Sequence, residues 1–147
     1  SFVPKHKKNP LQYYWKQMQG KHRATFVKEF FTLEMSMMAL DSTLDTAKRL
    51  LSSYAFEPDH LIEPYYMANY CFVPDGYILR SAHTLQIPIH IIQGRQDVIC
   101  PPKMAYQLHQ HLPQSVLHLV KGAHSRDDMK ETWLTATRQL SSTLSHR

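Results

Sequence analysis

Apolar positions in the first part of this chain recur at helical spacing. The clearest case is the segment 23–40, which predicts one amphipathic helix. Its predicted apolar face comprises Phe26, Phe30, Leu33 and Met37. Asp41 and Ser42 follow it and are favourable N-cap residues, so the next helix is predicted to begin there. Residues 1–85 are therefore predicted to form a helical segment.

The second part of the chain alternates between strand and helix patterns. The runs 87–94 and 115–120 are rich in β-branched residues and predict strands, the first apolar enough to be buried on both faces. The segments 101–113 and 126–144 predict helices. A strand, a short helical crossover and a second strand indicate two parallel neighbours. Because two strands do not make a stable parallel sheet, residues 86–147 are predicted to be the last part of a larger α/β sheet.

Composition narrows the functional classes. The 147 residues contain 43% hydrophobic and 20% charged residues, as a globular domain does. No apolar run approaches ~18 residues, and the first ten residues lack the apolar core of a signal peptide. Two cysteines are too few for a disulfide framework, and they fit a reducing compartment. The net charge of +5 is scattered and lacks a nucleic-acid-binding motif. We therefore expect a cytoplasmic protein without membrane or nucleic-acid partners.

Neither the histidines nor the cysteines indicate a metal site. There are ten histidines, but the closest pair, His109 and His111, would point to different sides of a helix. The chain has no HExxH or CxxC motif. Cys100 precedes Pro101 in a predicted turn and is interpreted as a small buried packing residue. We therefore expect no metal, no cofactor and no thiol catalysis.

An acidic residue and a histidine follow the two predicted strands. Asp97 comes just after the first strand and His124 just after the second. Functional side chains of open α/β sheets gather at the carboxyl ends of strands, so these two should meet. An aspartate that accepts the Nδ1 proton of a histidine fixes its tautomer and stabilises the imidazolium. Taken singly, each residue is more simply a turn or loop residue; together they predict a catalytic pair in the order Asp, then His.

Two stretches around this pair resemble the end of a prolyl aminopeptidase (proline iminopeptidase), an α/β-hydrolase. Residues 93–101 match the family's H-G-R-x-D-x-x-C-P, with Gln93 in place of the usual histidine. The family's later G-H-S is matched around His124, with Ala123 in place of glycine. The resemblance implies the C-terminal part of an α/β-hydrolase fold, in which Asp97 and His124 are the acid and base of a serine-hydrolase triad.

The helical segment resembles the cap of the same family. Glu34 matches the glutamate of the family's W-E pair, and Glu63 matches that of I-E-N-H-Y-F. The resemblance implies that both carboxylates bind the amino group of an N-terminal proline. Three aromatic residues near them, Phe30, Tyr65 and Tyr66, are expected to line a site for its ring. The plain alternatives are a solvated helix face for the glutamates and ordinary core packing for the aromatic residues.

The serine nucleophile is missing from this sequence. None of its four glycines frames a G-x-S-x-G elbow, and no HGG-type oxyanion loop is present. In the family both motifs lie upstream of the cap. We therefore expect the C-terminal portion of a serine aminopeptidase that is inactive alone and pairs with an N-terminal half or with a second copy through its exposed sheet. A non-catalytic remnant that self-associates, or part of another α/β-hydrolase such as an esterase, stays open, as does whether the chain is a fragment, a split-gene product or a stand-alone protein.

Overall fold

The computed structural model describes residues 9–55 and 58–145, and these divide into two compact units. The helical unit comprises residues 9–36 and 43–75, and the strand unit comprises residues 37–42 and 76–145. The architecture is a mixture of helices and one two-stranded parallel sheet, as expected for part of an α/β fold. No helix in the described ranges is both long and apolar enough to cross a membrane. The functional division into a cap over residues 1–85 and a core over residues 86–147 stays a prediction.

The described residues of the helical unit form four α-helices and two short 3-10 turns. The helices are α1 (Pro10–Met18), α2 (Arg23–Met35), α3 (Leu44–Leu50) and α4 (Ile62–Ala68), and the turns are Pro58–Leu61 and Tyr70–Phe72. Helix α1 begins where the side chain of Asn9 accepts the N–H of Gln12, with Pro10 in the first turn. Its buried residues Tyr14 and Met18 form a core with Val27 of α2.

The predicted apolar face of α2 is only partly correct. Phe26 and Phe30 pack against the core, but Leu33 is exposed and Met37 lies beyond the helix, which ends at Met35. At the C-cap, the hydroxyl of Ser36 donates to the carbonyl of Leu33 at 2.6 Å. Such a bond is a local alternative to helix continuation. Helical spacing alone did not reveal this end.

The N-cap of α3 is Thr43, so the prediction of Asp41 or Ser42 is wrong. The Thr43 hydroxyl accepts the N–H of Thr46 at 3.1 Å, and the Thr46 hydroxyl accepts the N–H of Thr43 at 2.8 Å. This reciprocal capping box satisfies two N–H groups that would otherwise lack partners, which is the physical reason that it prevails over a single cap.

The strand unit has the predicted order of strand, helix, strand and helix. Its elements are α5 (Tyr77–Ser81), a 3-10 turn (Ala82–Thr84), β1 (Ile89–Gly94), α6 (Pro102–His111), β2 (Ser115–Val120), a second 3-10 turn (Asp127–Met129) and α7 (Lys130–Ser145). Strands β1 and β2 pair in parallel, from Ile89 opposite Ser115 to Gly94 opposite Val120. Both strands consequently end at the same edge of the sheet.

Strand β1 is less buried than its sequence predicts. Its first four residues are half-buried, and only Gln93 and Gly94 are buried. On β2, Val116 and Leu119 are exposed. Helices α6 and α7 both contact β1, but each strand has a single neighbouring strand among the described residues. The two-stranded sheet and its helices therefore leave part of the apolar surface of the strands exposed.

Candidate active site at the strand ends

Asp97 closes the turn that follows β1. One carboxylate oxygen, Oδ1, accepts the backbone N–H of Ile99 at 3.0 Å and that of Cys100 at 2.8 Å. An aspartate commonly stabilises a turn in this way, so the structural interpretation of Asp97 holds for this oxygen. The other oxygen, Oδ2, faces the side chains of Gln93 and His124 instead.

The loops after β1 and β2 are joined by hydrogen bonds beyond the strands. The N–H of Arg95 donates to the carbonyl of Val120, and the N–H of Gln96 donates to that of Gly122, both at 2.9 Å. In return, the side-chain oxygen of Gln96 accepts the N–H of Gly122 at 3.0 Å. These bonds hold the two carboxyl ends together, so residues 27 positions apart can meet.

Gly94 permits this close approach. A β-carbon at Gly94 would overlap the backbone oxygens of Gly122 and Ala123. Ala123 itself is buried, is outside the left-handed region, and donates its N–H to Asp128 at 2.9 Å. The alanine that replaces the family's glycine before His124 therefore suits the local backbone.

His124 meets the second oxygen of Asp97. The distance from His124 Nδ1 to Asp97 Oδ2 is 2.9 Å. Asp97 is 5% exposed, whereas 33% of the His124 side chain is exposed. A carboxylate only accepts hydrogen bonds, so Nδ1 must carry the proton, and Nε2 of the neutral ring carries the lone pair. The arrangement can therefore take up a proton at Nε2 while a buried negative charge stabilises the imidazolium.

Gln93 is a third member of this cluster, and in the sequence it stands out only as a departure from the family pattern. Its Nε2 lies 3.1 Å from Asp97 Oδ2, the Cys100 carbonyl and the Gly94 carbonyl. All three neighbours are acceptors, so the atom that faces them is the amide nitrogen. A polar residue inside a buried strand was the available signal, because a buried amide requires hydrogen-bond partners.

The carboxyl of Asp97 stays ionised at neutral pH. Burial by itself would raise its pKa. The N–H of Cys100, the imidazole of His124 and the amide of Gln93 all stabilise the charged form, and together they lower the pKa below the ordinary value of 3.8. The site is therefore built for a permanent negative charge beside His124.

Cys100 is exposed, so its interpretation as a buried packing residue is wrong. Its backbone, rather than its side chain, determines its place: the N–H donates to Asp97 and the carbonyl accepts from Gln93. Partial desolvation, with the nearby charge of Asp97, raises the pKa of the thiol. A raised pKa disfavours the thiolate that nucleophilic catalysis needs.

The predicted substrate-binding residues all lie in the helical unit. Glu34 is half-buried on α2, and Glu63 is half-buried in the first turn of α4. Tyr65 and Tyr66 are exposed, with ring centroids 6.1 Å apart. Both rings also contact Phe72, at 5.3 and 5.2 Å. The structure therefore brings the two tyrosines together in an exposed aromatic cluster with Phe72, a residue that the sequence analysis did not select.

The histidine pair that meets is not the pair closest in sequence. His109 Nδ1 contacts the hydroxyl of Ser115, and His111 Nδ1 contacts the carbonyl of Gln107. His90 and His118 instead stack on adjacent strands, with Nδ1 and Nε2 3.1 Å apart. No group of three or more potential metal-ligating side chains is found in the described part of the chain.

Comparison with curated proteins gives matches to proline iminopeptidases. The chain is 34% identical over 70 residues to a putative proline iminopeptidase of Mycoplasma pneumoniae, covering 46% of this chain and 23% of that protein. It is 41% identical over 64 residues to a probable proline iminopeptidase of Leptolyngbya boryana (42% and 20%), and 37% identical over 70 residues to a proline iminopeptidase of Arabidopsis thaliana (46% and 18%). No protein-family profile matches the chain.

These matches confirm the resemblance to part of a prolyl aminopeptidase. The aligned segments span only about a fifth of the length of these relatives.

Proposed function

We propose that this chain is the C-terminal portion of an α/β-hydrolase, a serine aminopeptidase that releases N-terminal proline from peptides. The observation that carries the proposal is the hydrogen bond from His124 Nδ1 to the buried Asp97 Oδ2, at the carboxyl ends of two parallel strands. The names of the curated relatives supply the substrate class.

In the proposed reaction, His124 is the general base, and the ionised carboxylate of Asp97 orients it and stabilises its charged form. The nucleophilic serine and the oxyanion hole come from outside these 147 residues. As the serine oxygen attacks the carbonyl carbon of the substrate's proline, Nε2 of His124 takes the hydroxyl proton, and Asp97 stabilises the imidazolium. The same proton then passes to the leaving amine. In the second half of the reaction, Nε2 of His124 takes a proton from a water molecule as that water attacks the acyl carbon. The proton then returns to the serine oxygen, and proline is released.

The proposed specificity comes from the helical unit. The ring nitrogen of an N-terminal proline is a cation at neutral pH, and Glu34 and Glu63 would bind it through charge-assisted hydrogen bonds. The pyrrolidine ring is apolar, and it would pack on the aromatic cluster of Tyr65, Tyr66 and Phe72. The exposure of these rings supports a binding role over a purely structural one.

The proposed partner is the portion of the protein that bears the nucleophile. Within the described ranges, β1 and β2 each pair with one strand only, so each has a second edge open to pairing. Large apolar side chains of the strand unit are also exposed, among them Ile78, Leu85, Ile87, Val116 and Leu119. A further strand from the nucleophile-bearing portion, or a second copy of this chain, would pair with such an edge and shield part of these apolar side chains.

A chimera tests the catalytic assignment. The chain is joined behind the nucleophile-bearing portion of the Leptolyngbya boryana relative, and hydrolysis of a prolyl arylamide is measured. We expect His124→Ala to abolish turnover, because the base is lost. His111→Ala, which removes an exposed histidine on α6, should leave turnover unchanged. Retained turnover in His124→Ala would contradict the assignment.

A second pair of variants tests the specificity. Replacing Glu34 or Glu63 by Gln in the same chimera should reduce prolyl arylamide hydrolysis about 10- to 100-fold, since a hydrogen bond between charged groups contributes roughly 1.5–3 kcal/mol. Hydrolysis of a simple ester without an amino group should change little. Glu131→Gln on α7 serves as the matched control, because Glu131 is an exposed carboxylate of the strand unit. Equal losses on both substrates would mean that the glutamates do not act through the amino group, and would contradict the proposed specificity.

A further inference from the structure

We propose that Gln93 is a positioning residue for the acid–base pair, and that its side-chain amide holds Oδ2 of Asp97 toward Nδ1 of His124. The inference rests on the proposed function, because only there does the pair transfer a proton. Gln93 would not touch the substrate; it would act through Asp97.

The amide of Gln93 is held firmly enough for this role. Gln93 is 9% exposed and occupies the second-last position of β1, where it lies opposite Leu119 of β2. Its nitrogen faces three acceptors, on Asp97, Cys100 and Gly94. An amide has only two N–H bonds, so one hydrogen must be shared between two of these acceptors. The side chain thus joins the end of the strand to both sides of the following turn.

The contact with Gln93 fixes the second oxygen of the Asp97 carboxylate, whose first oxygen is held by the backbone of the turn. The terminal torsion of an aspartate is broad, so its two oxygens are not distinguished by rotamer preference. Two backbone N–H groups bind Oδ1, and the side chains of Gln93 and His124 bind Oδ2. Because His124 is partly exposed and Gln93 is buried, Gln93 is the more enclosed of the two side-chain donors to Oδ2. The acceptor is therefore oriented before His124 binds it.

Glutamine is chemically suited to this position. A neutral imidazole, the usual group there in the resembling family, has one N–H to donate, whereas an amide has two. Gln93 can therefore bind Asp97 and the Cys100 carbonyl at the same time. The replacement of His by Gln thus preserves a donor to Asp97 and adds a second hydrogen bond.

The test uses ¹⁵N NMR of the imidazole ring of His124 in the 147-residue chain. In the unmodified chain the neutral ring should be predominantly the Nδ1–H tautomer. Gln93→Leu keeps a buried side chain of similar size but has no donor, and it should yield a mixture of both tautomers. Gln93→His should restore the Nδ1–H tautomer. An unchanged tautomer in Gln93→Leu would overturn the proposal.

Gln96→Leu is the matched control, because Gln96 lies in the same turn but binds Gly122 rather than Asp97. It should weaken the contact between the loops and leave the His124 tautomer unchanged. If Gln96→Leu altered the tautomer as much as Gln93→Leu did, general loosening of the loops would explain both results, and the proposal would be wrong.

A measurement without any variant keeps the proposal testable if Gln93→Leu does not fold. The side-chain N–H protons of Gln93 should exchange with solvent at least about tenfold more slowly than those of the exposed Gln96, since bound, buried donors are protected. Equal exchange rates would overturn the proposal. These NMR results are independent of the chimera. Loss of turnover in His124→Ala without any effect of Gln93→Leu on the tautomer would overturn this inference and leave the proposed function intact. Retained turnover in His124→Ala would overturn the proposed function, and the catalytic role of the Gln93 contact with it, whatever tautomer is found.

Discussion

One buried polar side chain in each unit, Asp97 and Tyr14, shows a contrast in hydrogen bonding. In the strand unit, the carboxylate of Asp97 is buried, and each of its two oxygens accepts two hydrogen bonds. In the helical unit, the hydroxyl of Tyr14 is buried and has no hydrogen-bond partner among the described residues. Burial, with smaller electrostatic contributions from Glu29 and Tyr13, raises the pKa of Tyr14 to about 12.

The difference reflects what positions each group. Asp97 stands where two parallel strands end, and backbone hydrogen bonds bring a second loop to it. Tyr14 stands in a cluster of rings in edge-to-face contact, about 6 Å apart, in which the hydroxyl is incidental to the packing. A polar network that the backbone determines is suited to chemistry, whereas aromatic packing tolerates a polar group without a partner.

The largest expected effect is the fall in kcat when the hydrogen-bond network at the strand ends is broken. In the chimera, Asp97→Asn should lower kcat about 10⁴-fold, because an amide no longer enforces the Nδ1–H tautomer or stabilises the imidazolium. Asp127→Asn removes an exposed carboxylate nearby and should have no comparable effect. A fall in kcat of about tenfold or less, instead of the expected ~10⁴-fold, would show that Asp97 is a turn residue only.

The next effect concerns how closely the loops of the strand unit approach. Gly94→Ala should lower the free energy of unfolding by about 1–3 kcal/mol, because the added β-carbon would overlap the backbone oxygens of Gly122 and Ala123. Gly20→Ala is the control from the helical unit, where a β-carbon would lie 3.5 Å from the nearest atom. Urea unfolding measures both variants, and equal stabilities would contradict the described loop contact.

A smaller effect on stability is expected in the helical unit, when the buried hydroxyl of Tyr14 is removed. Tyr14→Phe should leave the free energy of unfolding unchanged or raise it by about 1 kcal/mol, since it removes a buried hydroxyl that lacks a partner. Tyr77→Phe, at an exposed tyrosine, is the control. A loss above ~1 kcal/mol in Tyr14→Phe would mean that the hydroxyl is satisfied and that the two units do not differ in this respect.

The smallest expected effect is the acid dependence of stability. The pKa of Asp97 is lowered in the folded chain, so its contribution to stability is present above the ordinary value of 3.8 and is lost as pH falls through the folded-state pKa. Urea midpoints between pH 7 and the acid limit should therefore fall less steeply in Asp97→Asn than in the unmodified chain, while Asp127→Asn should retain the original slope. Parallel slopes for all three would contradict the lowered pKa.

Predictions from local pattern were most successful in the strand unit. Strand β2 has the predicted bounds, and β1, α6 and α7 lie within a few residues of theirs. The errors at two helix ends arose because a side-chain hydroxyl binds a nearby backbone group: Ser36 at the end of α2 and Thr43 at the start of α3. Periodicity indicates which residues can share a face, but it does not decide which nearby hydroxyl binds which backbone group.

The sequence by itself determined that Asp97 and His124 stand at the carboxyl ends of two parallel strands. That conclusion needs only strand and helix periods and the geometry of a short crossover, which are local properties. The tertiary structure alone decided the rest: which oxygen of Asp97 serves the turn and which serves His124, that Gln93 binds the second oxygen, and that Cys100 is exposed. These features depend on distances across space between residues from different segments, and hydrogen-bond partners are selected there by geometry that no spacing along the chain encodes.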